Sequence, residues 1–321
     1  MAMSDWALVG DVGGTNARFA LVHPGSVELH HIKVLPCAEF DNLDGAVRAY
    51  LQQVGVTVQE ACIAFACPVH GDEVKMTNNH WRFSKSSMQV SLGLQTLKCI
   101  NDFTAMALGM PQVPDSDVIA VGSGESLHGR PRLVIGPGTG LGVSALVSNG
   151  NDWIPLAAEG GHVNWAPTSE WEIQLWLHFK KHFSRISAER LLSGAGLLLL
   201  YQGYCALRGL EERCATPADV TNGALQDGDE LCLEVLNHFC GILGEVAGDA
   251  ALTIGALGGV YICGGIVPRF PELFLVSPFR QQFEEKGRFK DYMKAIPVWL
   301  VNAEYPGLLG AAAGLANAAV H

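Results

Sequence analysis

Apolar positions follow two rhythms along the chain. Short solid runs such as ACIAFACPV (61–69), VYICGGIVP (260–268) and IPVWLVN (296–302) are apolar on both faces, as strands inside a sheet must be. LKCIND (97–102) is another, and it leads straight into the helical pattern FTAMALGM. Elsewhere apolar residues fall at helical spacing, as Leu43, Val47, Tyr50, Leu51 and Val54 do within 41–55. The same pattern predicts helices over 170–183 and 187–205, a long but broken helical stretch over 229–257, and a Gly/Ala-rich helix after 302. A further strand is expected at 33–40. Strands alternating with helices in this way predict an α/β fold.

Two segments, 7–22 and 132–147, read as strand, Gly-rich turn, strand. Moving the chain by 125 residues lays LVGDVGGTNARFALV (8–22) over LVIGPGTGLGVSALV (133–147), with six of fifteen positions identical. The identities are Leu8, Val9, Gly13, Ala20, Leu21 and Val22 against Leu133, Val134, Gly138, Ala145, Leu146 and Val147. Such a pair suggests a duplicated α/β unit, with a ligand cleft expected between the halves.

Composition narrows the function. At 321 residues, 49% apolar and 17% charged, the chain can build an ordinary enzyme core and is not a disordered segment. With 32 acidic against 21 basic residues the formal charge is −11, which argues against a broad nucleic-acid surface. The nine cysteines contain no C-x-x-C pair and mostly sit in apolar runs, so buried reduced thiols and a cytoplasmic protein are expected. MAMSDWALVG has no basic leader, and GLLGAAAGLANAAV is too short to span a bilayer.

Among nucleotide motifs, the Walker A pattern is absent, and G-x-G-x-x-G fails at both Gly-rich turns. The first turn instead reads Gly10-Asp11-Val12-Gly13-Gly14-Thr15, followed by Asn16. Successive glycines permit positive φ and expose N–H groups to an anion. A carboxylate at the same tip implies a bridging cation, so Asp11 is the candidate Mg²⁺ residue, holding the ion through water. A plain hairpin turn remains the alternative. The second turn, GPGTGLG (136–142), offers Gly138 and Thr139 as a further donor loop. Gly264 and Gly265, after an apolar strand, would let a flat adenine and its ribose lie on the backbone.

Where a phosphoryl group passes to a hydroxyl, a nearby carboxylate should accept the proton. Asp102 is the candidate base, with helix N-cap duty as its alternative. Glu159-Gly160-Gly161-His162 places an acceptor and an imidazole on a close-approach loop; His162 could equally be an ordinary partly buried histidine. Glu189 stands near a helix start, capped by Ser187, where the macrodipole alone would favour it. Asn78 and Asn79 are lesser candidates that turn formation explains nearly as well.

GDVGGTNAR, INDFTA, GPGTGLG, EGGHV, SAERLLSG and CGGIVPRF together resemble the bacterial ATP-dependent glucokinases of the hexokinase/actin-like superfamily, over essentially the whole chain. The resemblance implies two RNase-H-like α/β domains around a central cleft, and ATP-dependent phosphorylation of D-glucose at its 6-hydroxyl, feeding glycolysis. It makes Asp102 the base and puts Asn101, Asp102, Glu159, His162 and Glu189 on glucose. A small domain over 1–110, joined by 301–321, and a large one over 111–300 are expected, in a homodimer with no nucleic-acid or membrane partner. Pro137, where Ala is expected, and Ala195, where Pro is frequent, depart from the pattern at positions that carry no chemistry. The repressor/ORF/kinase group shares an E-x-G-H motif but adds a Cys-rich zinc motif that this chain lacks. A kinase of another hexose or amino sugar is the nearest alternative. A non-catalytic sugar sensor should have lost Asp102 or gained a DNA-binding segment, and the chain opens directly on the first hairpin.

Overall fold

ALVGDV and NARFALV form β1 (Ala7–Val12) and β2 (Asn16–Val22), an antiparallel hairpin with alternate and then continuous burial. In this computed structural model, which describes residues 5–150 and 152–320, β3 (His30–Pro36) pairs along β2. The strand thus starts before the expected 33–40. β4 (Glu60–Phe65) runs parallel to β1, and after the small hairpin of β5 (Glu73–Lys75) and β6 (Arg82–Ser84), β7 (Thr96–Asn101) runs parallel to β4. The resulting five-stranded sheet has the order β3-β2-β1-β4-β7. Its helices are bounded by local chemistry. α1 (Leu43–Val54) begins where Asn42 accepts from Gly45 N–H and ends at Gly55, with φ of 70°. α2 (Lys85–Leu92) starts on Ser84 in the same way, and α3 (Asp102–Gly109) follows β7 without a loop.

The second sheet contains β8 (Val118–Ala120), β9 (Arg132–Pro137), β10 (Leu141–Ser148), β11 (Trp153–Ala158), β12 (Val260–Ile262) and β13 (Val298–Val301). Its order is β11-β10-β9-β12-β13-β8, with β9, β12 and β13 parallel. Both predicted hairpins therefore form. The remaining helices are α4 (Glu170–Lys180), α5 (Ala188–Leu191), α6 (Gly194–Arg208), α7 (Pro217–Asn222), α8 (Glu230–Ile254), α9 (Pro271–Val276), α10 (Phe279–Glu284), α11 (Lys290–Ala295) and α12 (Pro306–Ala316). Two compact units result: Met1–Asp117 with Ser144–Ala157 and Ala303–His321, and Val118–Val143 with Ala158–Asn302.

Two helix expectations change. Residues 187–205 make two helices, because Ser193 caps a new one by accepting from Gly196 N–H. A Cβ on Gly196 would lie 2.4 Å from the Leu191 carbonyl, so that corner needs glycine. α8 is one continuous helix of 25 residues, not a broken one. Its glycines lie on a face that packs closely on α10: a Cβ on Gly244 would sit 2.2 Å from the Phe279 carbonyl oxygen. Glycine costs helix propensity, about 1 kcal/mol relative to alanine, but here it permits the close helix contact. α8 is long and apolar enough to cross a membrane, yet 72% of its apolar window is buried in the core. All nine cysteines are free and eight are buried, as expected.

Candidate active site

Asn101, not Asp102, is the N-cap of α3: its Oδ1 accepts from the N–H groups of Phe103 (2.9 Å) and Thr104 (3.3 Å). This removes the capping explanation for Asp102, which is the first helical residue. Oδ1 of Asp102 accepts from Asn101 Nδ2 and from Phe103 N–H, each at 2.9 Å. No hydrogen bond from another described residue reaches its Oδ2, and the residue's own N–H adds to those that favour the charged carboxylate. Burial, reinforced by the negative charge of Asp11, pushes the Asp102 carboxyl up to about 6. The first unit thus supplies a largely buried acid poised near neutrality, with one oxygen left free by every other described residue.

The first glycine turn is built differently from the expectation. Gly10, Gly13 and Gly14 all have ordinary negative or extended φ, so positive φ is not what selects them. Gly10 is a core residue, where a Cβ would press on Ile63 and Phe19 at 3.0–3.1 Å. Gly14 lies against Asn78, 2.8 Å from a would-be Cβ. Gly13 N–H donates to the Asn16 carbonyl at 2.9 Å, which takes it out of the donor set. The N–H groups of Gly14 and the exposed Thr15 have no protein partner among the described residues. The Val12 side chain is in the core, its carbonyl accepts from Ala66 N–H, and its backbone lies within the β1–β4 pairing, so Val12 offers no group to a ligand. Asn79 is a brace of this turn: Nδ2 donates to the Gly13 carbonyl at 3.2 Å, and Oδ1 accepts from Trp81 N–H.

Asp11 sits beside that turn. Burial raises its carboxyl above the usual carboxylate range, and Arg18, 3.5 Å away, only partly opposes this. Gly307 at the start of α12 packs on it, 3.0 Å from a would-be Cβ. Arg18 and Gly307 were not singled out by sequence reasoning. Arg18 is two strand positions into β2 and pairs across from Asp11 in register, which is the signal that could have found it.

The second unit gathers the other candidates. Gly138 N–H turns back on the Gly140 carbonyl at 2.7 Å, again leaving the neighbouring Thr139 N–H without a partner among the described residues. Gly264 has φ of 87° and packs on this turn, a Cβ there lying 2.4 Å from the Pro137 carbonyl oxygen. Beside it Gly265 faces open space. Glu189 is tied to the same turn: Oε2 accepts from Leu141 N–H at 2.9 Å, and Gly140 leaves the room. Ser187 caps α5, accepting from Arg190 N–H, as expected. Oε1 of Glu189 lies 3.8 Å from Nδ1 of His162. His162 is 56% exposed, so the buried-histidine alternative does not hold. Glu159 is also exposed and opens the short turn that carries His162. Gly161 is required there, because a Cβ would fall 2.1 Å from the Leu141 carbonyl oxygen. Structure therefore brings Glu189, His162, Thr139 and Gly265 around one hairpin, and Asp102, Asn101 and Asp11 together in the other unit.

A family model described as Glucokinase matches residues 8–318. A glucokinase of Hahella chejuensis is 56% identical over 322 residues, with 100% of each chain covered. Among solved structures, a glucokinase from an Antarctic psychrotroph superposes with a TM-score of 0.89 at 36% identity, covering 97% of this chain and 98% of that one. A ROK family glucokinase from Streptomyces griseus, solved in complex with glucose and AMPPNP, has a TM-score of 0.64 at 21% identity over 96% of this chain and 98% of its own, a likeness of fold.

Proposed function

The chain belongs to the glucokinase family, and from that premise we propose how its residues phosphorylate D-glucose with ATP. The observation that carries the reading is Asp102. One of its oxygens is fixed by two hydrogen bonds and the other is left free by every other described residue, and its carboxyl sits at about 6. A base of that strength is ionised at neutral pH yet keeps enough proton affinity to draw a hydroxyl proton. Oδ2 takes the proton of the glucose 6-hydroxyl while that oxygen bonds to the γ-phosphorus. The bond from phosphorus to the β–γ bridging oxygen breaks, and ADP leaves.

Glu159, His162 and Glu189 would hold the remaining sugar hydroxyls, with Asn101 beside the base. The triphosphate would lie on the partnerless N–H groups of Gly14, Thr15, Thr139 and Gly265, which carry no side-chain charge of their own. Adenine and ribose would rest on Gly264 and Gly265. Magnesium arriving with ATP would supply charge that offsets the phosphates. Asp11 fits a water-mediated contact with it: a burial-raised carboxyl gains from a nearby cation, and Mg²⁺ commonly keeps its waters and uses one or two carboxylates. A cytoplasmic homodimer, with a small domain over 1–110 joined by 301–321 and a large one over 111–300, completes the reading; unpaired cysteines support the compartment.

A panel of hexoses and amino sugars with Mg-ATP, read by ADP release, tests the assignment. Glucose is expected to give the highest kcat/KM, with product carrying phosphate on the 6-oxygen. Preference for another sugar would move the chain to a different substrate within the family.

A further inference from the structure

The second unit has an open groove of about 390 Å³ lined by Asn164, Trp165, Trp176, Lys180, Ser184 and Arg185. Its floor is a pair of short extended segments. Trp165 N–H donates to the Ile186 carbonyl at 3.0 Å, Ala188 N–H donates to the Val163 carbonyl at 2.9 Å, and Asn164 pairs with Ser187 between them. One segment follows directly on the turn that carries His162, and the other leads into α5, which carries Glu189. Groove and candidate sugar residues therefore share one piece of backbone.

Three features define what the groove would take. The stretch HFKKHFSRISAER (178–190) holds four Lys or Arg against one acid in a chain of net charge −11, and two of those cations line the groove. An anion is favoured there. Trp165 is 3% exposed and closes one wall of the groove, with its Nε1–H buried below solvent reach. Trp176 offers a flat ring face, with Lys180 Nζ 5.5 Å from its centroid. Aromatic faces suit the C–H side of a sugar ring, and a charged edge suits its phosphate.

Arg185 links the groove to the sugar loop. Its Nε donates to Asn164 Oδ1 at 2.6 Å, and one terminal nitrogen donates to the His162 carbonyl. The other terminal nitrogen has no protein partner among the described residues, which leaves a guanidinium edge for a phosphate.

We propose that this groove binds a sugar phosphate monoester, with the phosphate on Lys180 and Arg185 and the ring on Trp176. Occupancy draws Arg185 off the His162 carbonyl and weakens glucose binding at the neighbouring loop. Binding itself stands independently, whereas its effect on glucose rests on the reading of His162 and Glu189 as sugar residues. The coupling must be reciprocal, so glucose weakens the phosphate ester by the same factor.

The test is a tryptophan-emission titration of the full chain with glucose 6-phosphate, glucose 1-phosphate and inorganic phosphate, beside glucose kinetics with and without each ester. Expected are a saturable emission change with both esters, a far weaker one with inorganic phosphate, and a several-fold rise in glucose KM. Lys180→Glu and Trp176→Leu should each weaken ester binding at least tenfold while kcat and KM measured without ester stay at wild-type values. Ester binding that both variants leave intact would mean product occupying the active site only, and overturns the proposal. Equal affinity for inorganic phosphate overturns the sugar part. Ester binding lost in the variants but without effect on glucose KM overturns the coupling. If His162→Ala and Glu189→Gln leave glucose KM unchanged, the sugar-loop reading fails, and the emission titration still decides the groove.

Discussion

Asn101 holds Asp102 through a 2.9 Å hydrogen bond from Nδ2 to Oδ1, while its own Oδ1 caps the helix that Asp102 begins. One amide thereby fixes both the helix start and the orientation of the candidate base. Asn101→Ala should lose cap stability of about 0.5–2 kcal/mol and also lower kcat. Asn101→Asp keeps a capping acceptor but replaces the donor with a like charge. It should hold most of the thermal stability and still lose activity. Thermal melts paired with steady-state rates separate the two roles; parallel losses in both variants would leave Asn101 a cap alone.

Removing the base is expected to lower kcat by at least ~10²-fold in Asp102→Asn, the low end for general-base catalysis, with glucose binding reduced much less. Isothermal titration with glucose alongside single-turnover rates measures the split. A variant with near-native kcat would return the proton to solvent.

Acid should silence the enzyme as Asp102 takes up its proton. The kcat profile is expected to fall below a midpoint near 6. Stability runs the other way at this group. Its folded pKa lies above the ordinary value of 3.8, so its contribution is complete below that value and is lost as pH rises through about 6. Asp102→Asn, which cannot ionise, should therefore gain melting temperature over wild type at pH 8 and lose that advantage toward pH 4. An advantage of the same size at both pH values would contradict the raised carboxyl.

Glu189 combines a structural bond with a proposed sugar contact. Glu189→Ala leaves Leu141 N–H without its acceptor, an effect of about 1–3 kcal/mol for a buried donor. Glu189→Gln can keep that bond through its amide oxygen. Both should raise glucose KM, but only the alanine variant should lower the melting temperature clearly.

A glycine far from the chemistry sets the place of the base. On α12, a Cβ at Gly310 would come within 1.6 Å of the Ala105 carbonyl oxygen on α3. Gly310→Ala cannot be absorbed by a side-chain rotation and must push α12 from α3, typically at about 1–3 kcal/mol or more. Since Asp102 begins α3, activity should fall further than unfolding explains at a temperature where the variant remains folded by circular dichroism.

Much of the architecture was legible because apolar strands and glycine turns are local signals. The hairpins β1–β2 and β9–β10 and the strand-to-helix step at 101–102 follow from residues adjacent in sequence. What misled was context. The first turn's glycines looked like positive-φ positions, whereas Gly10 is selected by Phe19, its partner across the hairpin, and Gly14 by Asn78, which sequence spacing cannot place beside it. Gly13 looked like a phosphate donor, and a bond to Asn16 uses its N–H. α8 looked interrupted because its glycines weaken an isolated helix, while the surface of α10 that they fit is some forty residues on. Asp102 looked like a cap because its neighbour Asn101 competes for that role.

The first unit is closed by its last helix. Lys98 on β7 donates to the carbonyls of Gly314, Leu315 and Asn317 at 2.8–3.1 Å, and α12 lies on α3 and β4. During synthesis, β1 to β7 emerge early but α12 comes only after the whole segment Ala158–Asn302. The first sheet must then wait with an uncovered apolar face, and Lys98 without its three acceptors, while nearly two hundred residues are made. A released chain that ends at residue 305 should be open to protease over residues 5–117 and protected over the second unit. The order of translation thus makes Asp102 one of the first groups synthesised and among the last to be set in place.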